Sequence, residues 1–189
     1  MDSLLAATHK RPVGMKAFGV IWVGQIFSLL GTAMTHFGLT LWAYEVTGKA
    51  TPLALMGFFF VFPQVVLSPF VGVLVDRSNR KLMMMLSDLA AAFTTALILI
   101  LQAAGVLQIW HLYVTGTVFG IFQGFQWPAY SAAISTMLPK KHYARADGML
   151  EMAGRASNIF APLLAGALIV PLGLGGILAI DLASATLAI

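Results

Sequence analysis

Six long apolar stretches, separated by loops too short to hold a domain, constrain this chain more than any other feature. A bilayer's hydrocarbon core is about 30 Å thick, and a helix needs about 20 mostly apolar residues to cross it. The stretches cover residues 18–44, 53–75, 82–104, 112–137, 148–170 and 174–189, the last barely long enough. Only 10% of the 189 residues are charged, whereas soluble domains carry about 25%. Such a chain cannot cover its own surface in water. The expected fold is therefore an all-α membrane protein, a single domain over 1–189 with six transmembrane helices. A soluble enzyme, a nucleic-acid binder and a disordered tail are set aside.

The net charge of +4 is a signal of topology. Lys10, Arg11 and Lys16 precede the first stretch, Arg77, Arg80 and Lys81 follow the second, and Lys140, Lys141 and Arg145 follow the fourth. Those nine of the 11 basic residues fall on one side. Lys49 alone lies in the opposite loops, and Arg155 falls within the fifth stretch. The positive-inside rule then predicts a multi-pass protein of the cell (inner) membrane with both termini cytoplasmic. Trp42, Tyr44, Trp110 and Tyr113 fall at the predicted outer interface, where amphipathic rings anchor helices. The first stretch is too long for a signal peptide and is expected to remain as a membrane helix. With no Cys, neither a disulfide nor a thiolate metal site can form. No cofactor, metal or nucleic acid is implied. Neither H-E-x-x-H nor G-x-S-x-G occurs and the four His are scattered, so no enzyme is expected.

The most informative loop is Gly72-Val-Leu-Val-Asp76-Arg77-Ser-Asn79-Arg80-Lys81. Gly72 lets the second helix approach a neighbour, an acid stands at the membrane edge, and a tight basic turn opens the third helix. Asn79 suits the turn because Asn tolerates a left-handed backbone. By physics alone this is equally a plain cytoplasmic turn with stop-transfer charges. The segment resembles the loop signature of the major facilitator superfamily, G-x-L-x-D-R-x-G-R-K, with Asn79 at the second Gly. Gln25-Ile-Phe-Ser28-Leu-Leu-Gly31, Tyr44-Glu-Val-Thr-Gly48, Pro63, Gln126-Trp-Pro128-Ala and Ile180-Asp181 are similar to its macrolide, siderophore and drug-efflux branch.

The resemblance implies the N-terminal half of a twelve-helix fold, itself built of 3+3 inverted repeats. It makes Asp76, Arg77 and Arg80 gating groups that latch the cytoplasmic side, with Asp88 as the expected acid partner of the arginines. It also implies a second six-helix half, from a homodimer partner or a missing C-terminal half. Two departures concern coupling. Gly116, Gly120 and Gly124 leave no Arg in an R-x-x-x-G pattern on the fourth helix. Ala161-Pro162-Leu-Leu-Ala165-Gly166 is a degraded form of the exporters' G-P-x-x-G-G.

Ionisable residues within a membrane are costly, by at least about 2.5 kcal/mol on insertion scales, and need a partner or a function. Glu151 and Arg155 lie four apart on one helix face. They form an internal ion pair, or else Arg155 contacts an anionic substrate or serves as a coupling group. Asp181 lies about two turns into the sixth helix with no base near in sequence. It is either a proton carrier or a hydrogen-bonded carboxylate at shallower depth. His36 is a titrating group or a packing residue, and Gln25, eleven positions earlier, can share its face. Gln123, Gln126, Trp127 and Tyr130 form a polar-aromatic cluster that lines a cavity for an amphipathic ligand, or joins helices.

By resemblance, the expected activity is secondary active export of an amphipathic or drug-like small molecule, in the manner of an antiporter, by alternating access. A six-helix unit supplies half of the cavity wall, so the second half is required. The alternatives are a half-length assembly or regulatory subunit without transport, and a lipid-transporting relative.

Overall fold

The computed structural model describes residues 14–78 and 80–188; Lys10, Arg11 and Asn79 lie outside it, as do the side chains of Lys16, Asp76, Arg80, Lys81 and Trp127. The chain is helical almost throughout. Helix α1 spans Met15–Thr47, α2 Ala50–Arg77, α3 Arg80–Ala103, α4 Ile109–Met137 and α5 Tyr143–Ala188, with a short 3-10 turn at Lys140–His142. Four helical stretches among the described residues are long and apolar enough to cross a membrane: Phe18–Thr47, Ala50–Val75, Leu82–Ala103 and Lys140–Thr186.

The fifth and sixth apolar stretches are not separated by a loop. They form the single run α5, broken at Gly173, whose φ of 65° and ψ of −179° are non-helical. That backbone region is open in practice only to glycine. Pro171, two residues earlier, leaves the chain one backbone donor short at the same place. The two segments of α5 therefore meet at a kink that a Cβ at residue 173 would strain. Pro63, Pro69, Pro128 and Pro162 also lie inside helices, as membrane helices tolerate.

The buried clusters define how the helices run. Leu39 and Ala43 late in α1, Met56 early in α2, Ile98 late in α3, Leu112 early in α4, and Leu174 and Leu178 just past Gly173 share one core. Phe18 early in α1, Tyr130, Ile134 and Leu138 late in α4, and Ala146 and Leu150 early in α5 share another. Consecutive helices are thus antiparallel. Trp22 Nε1 donates to the Met149 carbonyl at 2.8 Å and ties α1 to α5 within the second core. Helix α1 packs chiefly on α5, and α2 on α4, while α3 packs against both α4 and α5.

Small residues decide how close these pairs come. A Cβ at Gly31 would collide with Ser184 Oγ and press on Asp181, and one at Gly120 would collide with the Phe60 carbonyl. Ala161 and Ala165 are buried against Met34 and Ile177, so the degraded small-residue motif still packs a helix pair. Gly72 is exposed, and among the described residues a Cβ there would meet no atom within 4 Å. Large apolar side chains such as Phe27, Phe70, Phe93, Leu163 and Val170 point outward, the reverse of a water-soluble bundle.

Candidate functional site

Three adjoining cavities run between the helices. The first, about 60 Å³, is lined by Thr32, Thr35 and His36 of α1, Phe60 of α2, Thr94 and Thr95 of α3, Phe119 of α4 and Asp181 of α5. The second, about 30 Å³, shares Thr32, Thr95, Phe119 and Asp181 with it, and adds Gln25, Ser28, Asp88, Gln123 and Gln126. The third is an open cleft of about 360 Å³. It shares Gln25, Gln123 and Gln126 with the second and adds Tyr130, Glu151, Arg155 and Asn158.

Asp181 stands where the first two cavities meet, only 3% exposed. Thr32 Oγ1 donates to its Oδ1 at 3.2 Å, and Thr95 Oγ1 donates to its Oδ2 at 3.0 Å. Ser184 Oγ donates to the Asp181 carbonyl at 2.8 Å. Thr35 Oγ1 is buried in the same cavity and faces the same carboxylate. Among the described residues, no Lys or Arg lines the two cavities that Asp181 faces. The arrangement depends on Gly31: its missing side chain brings α1 close enough for Thr32 to reach the carboxylate.

His36 is exposed along the wall of the first cavity, its ring tilted against Phe60 at 5.8 Å. Phe60 in turn stacks on Phe119 at 5.4 Å. Gln25, also on α1, opens into the second and third cavities, so the two residues line neighbouring spaces.

Asp88 Oδ1 accepts a hydrogen bond from Gln126 Nε2 at 2.8 Å. That partner is an amide of α4; Arg77 is exposed at the end of α2, and the Arg80 side chain lies outside the described residues. Arg155 and Glu151 form an ion pair at 3.3 Å, with side chains 80% and 55% exposed. They sit at the rim of the open cleft, not in a sealed interior. Gln123 lines both the second cavity and the cleft. The Trp127 side chain lies outside the described residues. At Gly120, one of the glycines standing in the R-x-x-x-G frame, the Phe60 carbonyl leaves no room for a side chain.

Sequence reasoning selected Asp181 but missed Thr32, Thr35 and Thr95. A signal was there to be read: Thr32 and Thr35 are three apart and so share one face of an apolar helix. Their relation to residues about 150 positions away along the chain has no local signature.

Residues 21–189 match the family described as Major Facilitator Superfamily. Over 171 residues the chain is 29% identical to macrolide efflux protein A of Streptococcus pyogenes, covering 90% of this chain and 42% of that protein. It is 30% identical to an uncharacterized MFS-type transporter, YfiS, of Bacillus subtilis, over 82% of this chain and 36% of that protein. It is 28% identical to multidrug resistance protein MdtG of Dickeya zeae, over 92% of this chain and 41% of that protein. The chain thus spans less than half the length of these curated relatives.

Proposed function

The chain belongs to the Major Facilitator Superfamily, and on that premise we propose that it is one half of a secondary transporter exporting amphipathic, drug-like solutes by alternating access. The observation that carries this reading is the open cleft of about 360 Å³, with Gln25, Gln123, Gln126 and Asn158 beside the Glu151–Arg155 pair. Apolar walls with a few placed polar groups are the usual setting for such a ligand. The cleft has only one wall in this chain. A second six-helix half, from another copy or from further chain, would close it and rock against the first around a midplane site.

The lengths support five full crossings and the start of a sixth: in Lys140–Thr186, 47 residues, the segment before the turn at Gly173 is long enough for a pass, and the helix after it rises about 20 Å at 1.5 Å per residue. In this reading the basic side is cytoplasmic, and Asp76, Arg77 and Arg80 latch that side when it closes. Asp88, which accepts from Gln126, would link the latch to the cleft.

Native mass spectrometry of the detergent-extracted chain establishes stoichiometry, and proteoliposomes then test flux of a macrolide down an imposed gradient. Saturable flux from an assembly of two halves is the expected result. Saturable flux from a monomer alone would sink the requirement for a second half, and no flux from any assembly would sink the transport reading.

A further inference from the structure

The open cleft continues into a further cavity along the seam between α1 and the first segment of α5, and Asn158 lines both. We propose that the two form one groove for a single-chain zwitterionic amphiphile, with a phosphate and an ammonium in its head. This rests on the transport reading and names its solute class. The head sits at Glu151 and Arg155, and the tail runs toward Thr40.

The further cavity, about 200 Å³, begins at Asn158 and is lined by Ala33, His36, Phe37 and Thr40 of α1 and Ala161 and Pro162 of α5. Helical spacing joins it to the cleft on both sides. Gln25, Leu29, Ala33, His36 and Thr40 recur every three or four residues on α1, and so do Glu151, Arg155, Asn158 and Pro162 on α5. Each set is therefore one stripe on its helix. The two helices run the same way, since Trp22 meets Met149 near one end while Met34 packs with Ala161 and Ala165 farther along. Two stripes side by side bound one trough. From Gln25 to Thr40 it runs about 22 Å at 1.5 Å per residue.

The trough changes character along its length. At one end Arg155 and Glu151, 3.3 Å apart, present one positive and one negative charge to the cleft. A lone anion or a lone cation sets one of them against a like charge, whereas a zwitterion matches both, phosphate to Arg155 and ammonium to Glu151. The planar guanidinium fork suits phosphate oxygens. Asn158 stands exposed at the junction, where its amide meets the hydroxyl or ester of a linker. Beyond it, Ala33, Phe37, Ala161 and Pro162 make an apolar wall. From Ala33 to Thr40 is about 10 Å of helix, the reach of about eight extended carbons with bonds of about 1.5 Å. Lipid offers a tail the same apolar contact, so selection for the groove falls to the head. Glu151 lies about 12 Å past the start of α5, so a head bound there is drawn inward along the helix.

The test is photolabelling of the chain in nanodiscs of two-chain phospholipid, using single-chain phosphocholines with a diazirine beside the head or at the chain end. Mass spectrometry then locates the labels. The head probe is expected on residues 151–158 and the chain-end probe on 33–40 and 161–162. Unlabelled phosphocholine should suppress both at concentrations severalfold lower than a sulfate or a trimethylammonium of equal chain length. Arg155→Gln should raise the phosphocholine concentration needed by severalfold. Ala33→Trp should remove chain-end labelling and keep head labelling; where that variant fails to fold, the parent's label map and the ranking of heads still decide. Labels spread equally over Phe62 and Phe70, which point outward on α2, would show partition into the membrane only and overturn the proposal. A sulfate or an ammonium that competes as well as phosphocholine overturns it too. Labelling reads binding without flux, so macrolide flux with an unlabelled groove sinks this proposal alone, while a labelled groove without macrolide flux upholds it and counts against the drug-like solute.

Discussion

Asp181 and Glu151 are carboxylates on the same long helix, yet they occupy opposite kinds of site. Glu151 finds Arg155 one turn away, and both side chains stand in an open cleft. Asp181 finds its partners on α1 and α3, within a pocket closed by Gly31 and sealed to 3% exposure. The first site is assembled by helical periodicity and lies open to what enters the cleft. The second is assembled by the packing of three segments. Any change that separates them should break the second while leaving the first intact.

The largest effect expected from that contrast is at the glycines. Gly31→Val drives a side chain into Ser184 and Asp181 and should destabilise the protein by about 3 kcal/mol, as overpacking does. Gly154→Val in the cleft, where a Cβ would meet nothing within 4 Å, should change stability by no more than about 0.5 kcal/mol. Thermal unfolding in detergent compares the two, and equal losses would erase the distinction between a packed and an open site.

Gly173→Ala comes next. It strains the break that lets the Asp181 segment turn back beside α1, at about 1–3 kcal/mol. Limited proteolysis around the kink should quicken; unchanged protection would mean that α5 tolerates a straight join.

Thr95→Val is nearly isosteric and removes the donor to Asp181 Oδ2. A loss of about 1–2 kcal/mol is expected, since a buried acceptor is left unsatisfied. Denaturation curves that superimpose on the parent would show that the hydroxyl contributes nothing to the fold.

Arg155→Ala should be the mildest for stability, below about 1 kcal/mol for an exposed ion pair, while lowering binding of an anionic amphipathic dye to the cleft. Should dye affinity stay constant while stability falls by more than that, the pair is structural and the cleft reading is wrong at that residue.

Much of this was readable from residue order. The density of apolar residues dictates membrane helices because no other arrangement hides so much apolar surface and still satisfies the backbone. The loop from Gly72 to Lys81 and the motifs around Gln25, Gln126 and Asp181 point to a family that the match over 21–189 bears out. The Glu151–Arg155 pair was legible because four residues make one turn.

Gly72 shows the limit of such reading. Small residues permit close approach, but only the fold says whether a neighbour is present; among the described residues Gly31 and Gly120 have one against a Cβ and Gly72 does not. Asp88 shows the same limit, since nothing local in the sequence joins it to Gln126, 38 positions along the chain. By itself, then, the sequence determined the solvent this protein lives in, its helices and its family, since these depend on composition and on periods of a few residues. Tertiary structure alone decided that Asp181 is encircled by the hydroxyls of Thr32, Thr35 and Thr95. Those contacts join residues far apart along the chain, and only the packing of α1, α3 and α5 brings them within hydrogen-bond reach.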